Sequence, residues 1–497
     1  MGIKSERQEA TTVQNTLKRL ILALYLFVLT IPVLWGTLGN LSHKSYLAAF
    51  VAAALLLFIL WFGGQRFGIL KERLNRTKPA AACLCMSLFF VLFNGVFAFF
   101  FRPVQAADYR TFFQVAKDLS NGIHPGMKDY VAMFPHILGY SAFLSLFLHI
   151  FGQNLAVAVA LNVLMTLATG ILMFYLMLNT CDVFSSVCVF FLWTICPSKM
   201  FYNTMSLSEP YYTFLLILLF YLVSCSAKQI RKDKPGYLRI AVAAAFCGVI
   251  LTLIQSARPI AVIPIIALVL WILFFSDREQ LPYIWKRWSF FTVLLIFCYF
   301  VGGKAWQAYA TEQLEQMPPS VPGYNIYVGF NPETNGSYSD EDMTMFQDLY
   351  FGECDRNAAA AQHIMLQATK DRVFAIGTGL PHLMLYKLKT LLSHDEGGAY
   401  YAMESLTERQ YSISCLISNI WYYFTCILSL LGAAKLWKKR KCGMTMMMVL
   451  FVIGLVMAQL LVEVAARYHY AIIPVLLMVA AFAIYVPVLR TEEEIRA

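Results

Sequence analysis

Repeated apolar runs constrain the fold of this 497-residue chain more than any other feature of its sequence. A helix needs about 20 consecutive apolar residues to cross a membrane, and thirteen runs approach or exceed that length. Hydrophobic residues make up 59% of the chain and charged residues 14%, which is more apolar surface than a soluble core of this length needs. The runs predict an all-α polytopic membrane protein with about 12–13 transmembrane helices. They lie near 20–38, 46–63, 80–101, 134–151, 155–177, 183–197, 210–226, 238–256, 258–275, 289–306, 411–434, 444–462 and 469–488.

The formal net charge of +10 comes from clusters of Lys and Arg between the apolar runs. Such clusters mark cytoplasmic loops under the positive-inside rule. The distribution predicts a multi-pass protein of the plasma (cytoplasmic) membrane with both termini in the cytoplasm, and we expect no nucleic-acid partner. The clusters are Arg66, Lys71, Arg73, Arg76 and Lys78; Lys228, Arg231, Lys232, Lys234 and Arg239; and Lys435, Lys438, Lys439, Arg440 and Lys441.

This charge topology assigns a side to the first long polar segment, whose pattern from Asp108 onward indicates amphipathic helix along the membrane face. The basic N-terminus is interpreted as a retained membrane helix that starts in the cytoplasm. The third run then leaves the bilayer just before Asp108 and places this acid on the extracytoplasmic face. Working back from the C-terminal loops places 307–410 on that face too, as a small cap.

One conflict remains in this topology. Thirteen full crossings would put the termini on opposite sides, whereas the loop charges place both inside. We expect the discrepancy to lie within 134–197, where loop charges give no guidance. One of the three apolar runs there fails to span, or one is broken by Pro135 or Pro197, and the sequence leaves the choice open.

The order of runs and loops predicts four parts of the chain. They are an N-terminal two-helix extension at 1–79, a transmembrane catalytic module at 80–306, the loop region at 307–410 and C-terminal transmembrane helices at 411–497. Within the loop region, the apolar pattern becomes helical from about Asn357 to Ile376.

Ionisable residues at the ends of apolar runs are costly to place there and are therefore functional candidates. Asp108 is the first such residue. Glu209 opens a helix shortly after the turn Cys196-Pro-Ser-Lys199. Ser208 and Glu209 also fit an ordinary helix start with Pro210 in its first turn, and the sequence leaves both interpretations open.

Two arginines lie at tight reversals between apolar runs. Arg258 stands in Gln255-Ser-Ala-Arg-Pro259, and Arg467 and His469 stand between the last two runs. Both arginines map to the outer leaflet, where snorkelling toward headgroups is one explanation. The planar guanidinium also suits phosphate oxygens, and we predict a phosphate role for at least one of them.

Histidines supply no recognisable metal motif. His124, His136, His382 and His394 flank the polar segments, but no pair has the spacing that places two ligands on one helix face. The sequence also lacks the Walker A, GxGxxG and GxSxG motifs. We therefore expect no cofactor, and a divalent metal has no support.

Four segments in order resemble the GT-C superfamily of polytopic glycosyltransferases, in particular bacterial members similar to protein O-mannosyltransferases and aminoarabinose transferases. The first is the loop from Asp108 to Pro135, which resembles the acid-bearing loop of that superfamily. The others are Ser208-Glu209-Pro210, Ala257-Arg258-Pro259 and the stretch from Glu463 through Arg467-Tyr-His-Tyr to Pro474. The resemblance covers roughly 80–490. The single acid at Ala-Ala-Asp108-Tyr departs from members that carry paired acids there.

The resemblance implies transfer of a sugar from a polyprenyl-phosphate donor to an extracytoplasmic acceptor, which is a protein, a wall polymer or a lipid. Asp108 would act as the general base in an inverting displacement, supported by Tyr109 and Glu209. Arg258 and Arg467, with His469 or Lys199, would bind the departing lipid phosphate.

Two alternatives stay open. One is a transporter or flippase of lipid-linked sugars, which internal repeats or charges at mid-helix would favour. The other is an oligosaccharide polymerase or ligase, which would use the outer-face arginines without needing Asp108 as base.

Overall fold

The structure, a computed structural model, describes residues 2–38, 44–232, 236–276, 282–439 and 443–485. Three residues of the basic clusters lie outside the described residues: Lys234, Arg440 and Lys441. The end of the predicted run 469–488 also lies outside them. The helices are α1 (Gly2–Leu38), α2 (Lys44–Phe62), α3 (Gly64–Arg76), α4 (Pro79–Phe100), α5 (Ala107–Ser120), α6 (Lys128–Met133), α7 (His136–Phe151), α8 (Leu155–Leu178), α9 (Val183–Thr194), α10 (Pro197–Asn203), α11 (Ser208–Ile230), α12 (Tyr237–Ala257), α13 (Val262–Phe275), α14 (Pro282–Leu314), α15 (Gly323–Gly329), α16 (Asp340–Asp348), α17 (Ala358–Ile376), α18 (Leu380–Leu392), α19 (Gly397–Tyr401), α20 (Glu408–Lys438), α21 (Thr445–Leu461) and α22 (Ile473–Ile484), the last preceded by a 3₁₀ helix, Ala466–Ile472.

Nine helical segments of the described chain are long and apolar enough to cross a membrane. A tenth candidate is the pair α9 and α10, which bends by 56° at its break before Pro197. The break agrees with one of the two disruptions that the sequence predicted in 134–197, because proline cannot continue the helical hydrogen-bond ladder. The all-α polytopic fold is confirmed.

Polar contacts between distant loops define one end of the helix bundle, which we call the basic end. Helices that carry members of the Lys and Arg clusters meet there, and basic side chains at this end contact backbone carbonyls or a carboxylate near helix termini. The contacts are Lys18 Nζ to Lys439 O at 2.5 Å, Lys71 Nζ to Asp182 Oδ2 at 3.4 Å, Arg287 Nη1 to Ile230 O at 2.7 Å and Trp271 Nε1 to Gly443 O at 2.9 Å.

The opposite end, which we call the α5 end, is where α5, α7 and α11 begin. The side chain of Gln105 lies just before α5 and accepts a hydrogen bond from the Ser206 amide at 2.9 Å. It also donates to the Thr204 carbonyl at 3.3 Å. These bonds fix the start of α5 against the segment that leads into α11.

Helix α7 starts and ends at the α5 end. It runs alongside α5 in the same direction, since Ser141 bonds the Phe112 carbonyl and His149 the Ser120 carbonyl, each at 3.0 Å. α8 starts three residues after α7 ends and reaches Asp182 at the basic end. The run 134–151 therefore does not cross the bundle, which resolves the conflict in the predicted topology.

The remaining apolar helices connect the two ends. The shorter helices α13 and α21 each join a loop of the α5 end to the contact between Trp271 and Gly443 at the basic end. In the described residues, the nine long segments, the bent pair and these two helices thus make twelve passes. In agreement with this even number, Lys18 on α1 and Ala483 at the end of α22 both lie at the basic end, where they contact Lys439 and Lys435.

The region after α14 forms a cap of short helices. α14 itself continues to Leu314, so the boundary proposed at 306/307 falls inside a continuous helix. The helix predicted from Asn357 to Ile376 is confirmed as α17, and the Asn357 side chain caps it by accepting from the Ala360 amide at 3.0 Å. Arg372 holds α17 to α16 with two bonds to Asp342, at 2.8 and 2.9 Å. The four-part division of the chain stays a prediction.

Candidate active site

A cavity of about 810 Å³ opens at the α5 end of the bundle, beneath the cap. Its walls come from α5, α7, the turn after α12, the segment around α19 and the segment between α21 and α22. Charged side chains from four of these elements line it: Asp108, Arg258, Glu396, and Glu463 with Arg467. Because both acids and arginines line it, the cavity is the candidate active site.

Asp108 lies in the first turn of α5, directly after an unusual backbone conformation. Ala106 is extended, and Ala107 has φ of +46°, a left-handed conformation that costs a non-glycine residue about 1–2 kcal/mol. This turn points the Asp108 carboxylate toward Arg467, whose Nη2 lies 2.5 Å from Oδ2. Strained backbone of this kind clusters at functional sites.

Glu209 forms the second acid of the cluster. It is fully buried in the first turn of α11, and its Oε1 accepts from Arg258 Nη2 at 2.6 Å. Arg467 Nε lies 4.0 Å from the same oxygen. Arg467 therefore lies between the two acids, and Glu209 is ion-paired with Arg258 in addition to standing at the start of α11. Ser208 makes no capping hydrogen bond.

Close helix packing brings Arg258 to this place. Gly139 on α7 lies against the backbone of Ser256 and Ala257, where an added Cβ would meet the Ser256 carbonyl oxygen at 2.1 Å. A side chain at position 139 would push α7 away from the end of α12. The glycine thus sets the distance between Arg258 and the helix that carries His136.

The two guanidinium groups have hydrogen-bonding capacity to spare. Nε of Arg258 and Nε of Arg467 are buried and have no acceptor among the described residues. Buried donors normally have partners, and each exception calls for an explanation. Further acceptor oxygens, such as those of a phosphate, would fit these donors after a small rotation of either side chain.

Aromatic rings enclose the cluster. Tyr468 lies between the two guanidinium groups, 5.3 Å from Arg258 and 5.6 Å from Arg467, measured from each guanidinium carbon to the ring centroid. Tyr401 covers Arg467 at 5.2 Å. Tyr109, predicted as a supporting residue, is buried and packs edge-on against Tyr401. These rings exclude water and so strengthen the charge interactions.

Electrostatics separates two of the acids that line the cavity. Burial by itself raises the pKa of Asp108, but the Arg467 guanidinium outweighs it and holds that pKa below its usual range. Burial also raises the pKa of Glu463, and the more distant arginines only partly offset this effect. Asp108 is therefore ionised at neutral pH, while Glu463 retains its proton to higher pH than an ordinary glutamate.

His136 lies at the first turn of α7, between Asp108 and Arg258. Burial and the neighbouring Arg258 lower the pKa of His136 to about 3, so its imidazole is neutral. The described residues contain no group of three or more His, Cys, Asp and Glu side chains arranged to hold a metal ion.

A second cavity, of about 570 Å³, adjoins the first. It lies between the start of α7, the end of α12, α14 and a proline-rich segment at 318–322, and it shares Phe134, His136 and Asn325 with the first cavity. On its α14 wall, Phe300 is 64% exposed and faces away from the bundle. This second cavity therefore leads from the lipid-facing side of the bundle to the charged cluster.

Two predicted phosphate ligands lie apart from the cluster. Lys199 is fully buried at the break between α9 and α10, where its ammonium donates to Asn94 Oδ1 at 2.7 Å and to the Thr194 carbonyl at 3.1 Å. His469 has both ring nitrogens engaged, with Leu391 O at 2.8 Å and Asp395 Oδ1 at 3.1 Å. Neither side chain lines the cavity.

The sequence assigned no role to several residues that the structure places in the site. Glu463 was noticed as part of a motif, and His136 as a histidine without ligand spacing. Tyr468 stood inside the motif around Arg467 without an assigned role. Tyr401 gave no signal, because an aromatic residue near a membrane end is ordinary. The position of Glu463, directly after an apolar run, was the one available hint.

The N-terminal part of the chain supports the far wall of the main cavity, which His394 and Glu396 line. Tyr46 of α2 donates to Glu396 Oε2 at 3.1 Å, and Asn419 donates to Glu396 Oε1 at 2.8 Å. The ring of Tyr46 also stacks on His394, with centroids 5.6 Å apart. The predicted extension thus holds two side chains of the wall in place from behind.

A scan against protein-family models finds no match for this sequence, and a search of curated proteins finds none either. Among solved structures, the chain is similar to the archaeal oligosaccharyltransferase AglB from Archaeoglobus fulgidus in complex with an inhibitory peptide and a dolichol-phosphate, with a TM-score of 0.47 and 13% identity. That match covers 82% of this chain, which spans about half (50%) of the AglB chain. It is also similar to ArnT from Cupriavidus metallidurans bound to undecaprenyl phosphate, with a TM-score of 0.35, 10% identity, and coverage of 78% of this chain and 77% of that one.

Proposed function

We propose that this protein is a GT-C-type membrane glycosyltransferase that moves a sugar from a polyprenyl-phosphate donor to an acceptor hydroxyl on the extracytoplasmic face. The observation that carries the proposal is the chain of contacts from Asp108 through Arg467 and Glu209 to Arg258. It joins an ionised carboxylate to two guanidinium groups at the end of a membrane bundle. Each of the four motifs that resemble this superfamily supplies one residue of this chain of contacts. The residues are Asp108, Glu209, Arg258 and Arg467.

The two cavities suggest separate routes for the two substrates. The lateral cavity, with Phe300 at its lipid-facing side, suits the polyprenyl chain of the donor. The main cavity beneath the cap suits a polar acceptor. They meet at Phe134, His136 and Asn325, next to Arg258, so the sugar of the donor would lie where both substrates are within reach.

The proposed reaction is a single displacement. The acceptor oxygen attacks the anomeric carbon, its proton passes to Asp108, and the bond from the anomeric carbon to the phosphate oxygen breaks. The polyprenyl phosphate leaves with the bonding electrons, and Arg258 and Arg467 stabilise its negative charge. Because one displacement occurs, the anomeric configuration inverts.

The geometry adds one requirement to this mechanism. Asp108 accepts from Arg467 at 2.5 Å, which stabilises its ionised form and weakens it as a base. Binding of the donor phosphate would draw the Arg467 guanidinium toward the phosphate and raise the basicity of Asp108. Lys199 and His469 have no part in this mechanism, because their polar atoms are bound elsewhere.

The test is a transfer assay on the purified full-length protein in lipid nanodiscs. A panel of polyprenyl-phosphate sugars is offered with and without a chelator, and release of polyprenyl phosphate is measured together with sugar transfer to peptide, lipid and wall-polymer acceptors. Asp108→Asn should abolish release. Full release by that variant would favour the oligosaccharide polymerase or ligase alternative, and movement of intact donor across the bilayer without release would favour the flippase.

A further inference from the structure

We propose that Glu463 acts as a neutral carboxylic acid that donates a hydrogen bond to the phosphate of the lipid donor. This inference rests on the proposed function, since it names a further ligand of the same substrate. It makes the site a set of two cations and one neutral acid rather than a pair of arginines alone.

The position of Glu463 places it where the two cavities meet. Its backbone amide donates to the Asn325 carbonyl at 2.7 Å, and its Oε2 accepts from Asn325 Nδ2 at 3.3 Å. Asn325 lines both cavities, whereas Glu463 lines the main one. On its other side, Oε1 lies 3.4 Å from the hydroxyl of Tyr468, whose ring lies between Arg258 and Arg467.

The charge balance of the site leaves Glu463 without a counter-ion. Asp108 pairs with Arg467 and Glu209 pairs with Arg258, so the two acids and two arginines already cancel. Among the described residues, no cationic nitrogen lies within 4.0 Å of the Glu463 carboxylate. A third negative charge here would repel the phosphate that the arginines attract, whereas a protonated carboxyl adds a donor without adding charge.

The backbone around Glu463 is rigidly supported. Lys387 is buried, and its ammonium donates to the carbonyls of Gly329, Leu460 and Val462, at 2.7, 2.8 and 2.8 Å. An added Cβ at Gly329 would lie 2.5 Å from the Val462 carbonyl carbon, so the end of α15 packs directly on the residue before Glu463. The carboxyl group is thus positioned by the fold and not by a surface loop.

Several groups influence the ionisation of Glu463. Burial raises its pKa most strongly, Asp108 raises it further, and Arg467 and Arg258 lower it. Lys387 faces it from α18, and burial lowers the pKa of that lysine to about 7. The other titratable groups around it are Tyr130, Tyr324, Tyr338, Tyr468 and His136.

The experiment measures binding of polyprenyl phosphate to the full-length protein in nanodiscs as a function of pH. In the unsubstituted protein, affinity should fall as pH rises and Glu463 ionises. The amide of Glu463→Gln has two N–H donors and no charge at any pH. Its affinity for polyprenyl phosphate should be a few-fold weaker at pH 6, and that affinity should not fall with rising pH through ionisation at position 463. Glu463→Ala should bind about tenfold or more weakly at every pH, because the donor is lost.

The controls isolate Glu463 from other titrations. The phosphate has its own ionisation near pH 6, which contributes equally to the unsubstituted protein and to Glu463→Gln. The charge of Glu463 raises the pKa of Lys387, so any difference in the titration of that lysine between the two proteins is itself a consequence of Glu463 ionisation. Glu312→Gln, at an exposed position on α14, should reproduce the unsubstituted pH profile. Thermal unfolding of each variant shows whether it is folded.

Two results would overturn the inference. Equal pH dependence in the unsubstituted protein and in Glu463→Gln would show that Glu463 does not hold the proton. A loss of binding in Glu463→Gln as large as in Glu463→Ala would show that the ionised carboxylate is required. By contrast, absence of polyprenyl-phosphate binding to the unsubstituted protein at any pH would refute the proposed function, and the inference with it.

Discussion

Arg467 and Asp108, separated by 359 positions in sequence, form an ion pair with 2.5 Å between Nη2 and Oδ2 at the end of the helix bundle. The pair sits on the shared wall of α5 and the segment that precedes α22. Since Arg467 also approaches Glu209, any substitution of Arg467 acts on both acids. The predictions below separate the roles of these residues.

Replacing Asp108 by Asn should reduce sugar transfer by about 10²–10⁴-fold, the usual contribution of a general base. The protein should remain folded, because the amide oxygen can still accept from Arg467. Initial rates of polyprenyl-phosphate release at saturating donor measure the effect. Asp371→Asn, at an exposed position of α17, serves as the control and should be fully active. An active Asp108→Asn enzyme would remove the proposed base.

The two arginines should respond differently to substitution by Ala. Arg258→Ala should raise the KM for the lipid donor, whereas Arg467→Ala should also lower kcat, because it removes the contact that holds the Asp108 carboxylate in position. We expect losses in kcat/KM of about 10²–10³-fold for each, as for other groups that stabilise developing charge. Arg409→Ala, at an exposed position near the start of α20, is the matched control. Unchanged kinetics for both variants would indicate that the arginines contact lipid headgroups and not the donor phosphate.

Lys199→Met should destabilise the protein without a specific effect on the donor KM. The substitution leaves Asn94 Oδ1 without its donor, at a cost of about 1–3 kcal/mol for a buried group left unsatisfied. The Thr194 carbonyl loses the ammonium but keeps its bond from Asn94 Nδ2 at 3.2 Å. Thermal unfolding in detergent measures the loss, and the exposed Lys370→Met provides the comparison. A raised donor KM with unchanged stability would restore Lys199 as a phosphate ligand.

His136 should make the protein sensitive to mild acid. Its pKa is about 3 in the folded protein against 6.5 when unperturbed, so the folded state binds fewer protons between these values. Its contribution to stability is complete above pH 6.5 and is lost as pH falls toward 3, by up to ~1.4 kcal/mol per pH unit. Thermal unfolding from pH 7 to pH 5 should therefore fall less steeply for His136→Asn than for the exposed His363→Asn. Parallel pH profiles would contradict the neutral imidazole.

Reporter fusions should place both termini in the cytoplasm and the 152–154 turn on the opposite side. This follows from the α7 helix returning to the α5 end instead of crossing. A reporter inserted near Thr180, between α8 and α9, should be cytoplasmic because that turn meets the basic end. A cytoplasmic 152–154 turn would mean that α7 spans the membrane.

Much of the fold followed from sequence because it depends on local patterns. Apolar runs of membrane length and the helical pattern from Asn357 to Ile376 are short-range signals, and the structure agrees with them. The run 134–151 is an exception, because its local pattern did not predict its path. Its composition suits a membrane helix, and its failure to cross depends on parallel packing against α5, which no local pattern encodes.

The candidate site, like the fold, was predictable from sequence only in part. The sequence alone supplied Asp108, Glu209, Arg258 and Arg467, because a charge at the end of an apolar run is costly and therefore conspicuous. Tertiary structure decided how these four residues pair, and it placed Lys199 and His469 in contacts away from the cavity. It also left Glu463 without a cationic partner among the described residues. Ion pairing depends on distances of a few ångströms between segments hundreds of residues apart, and those distances are set by how the helices pack.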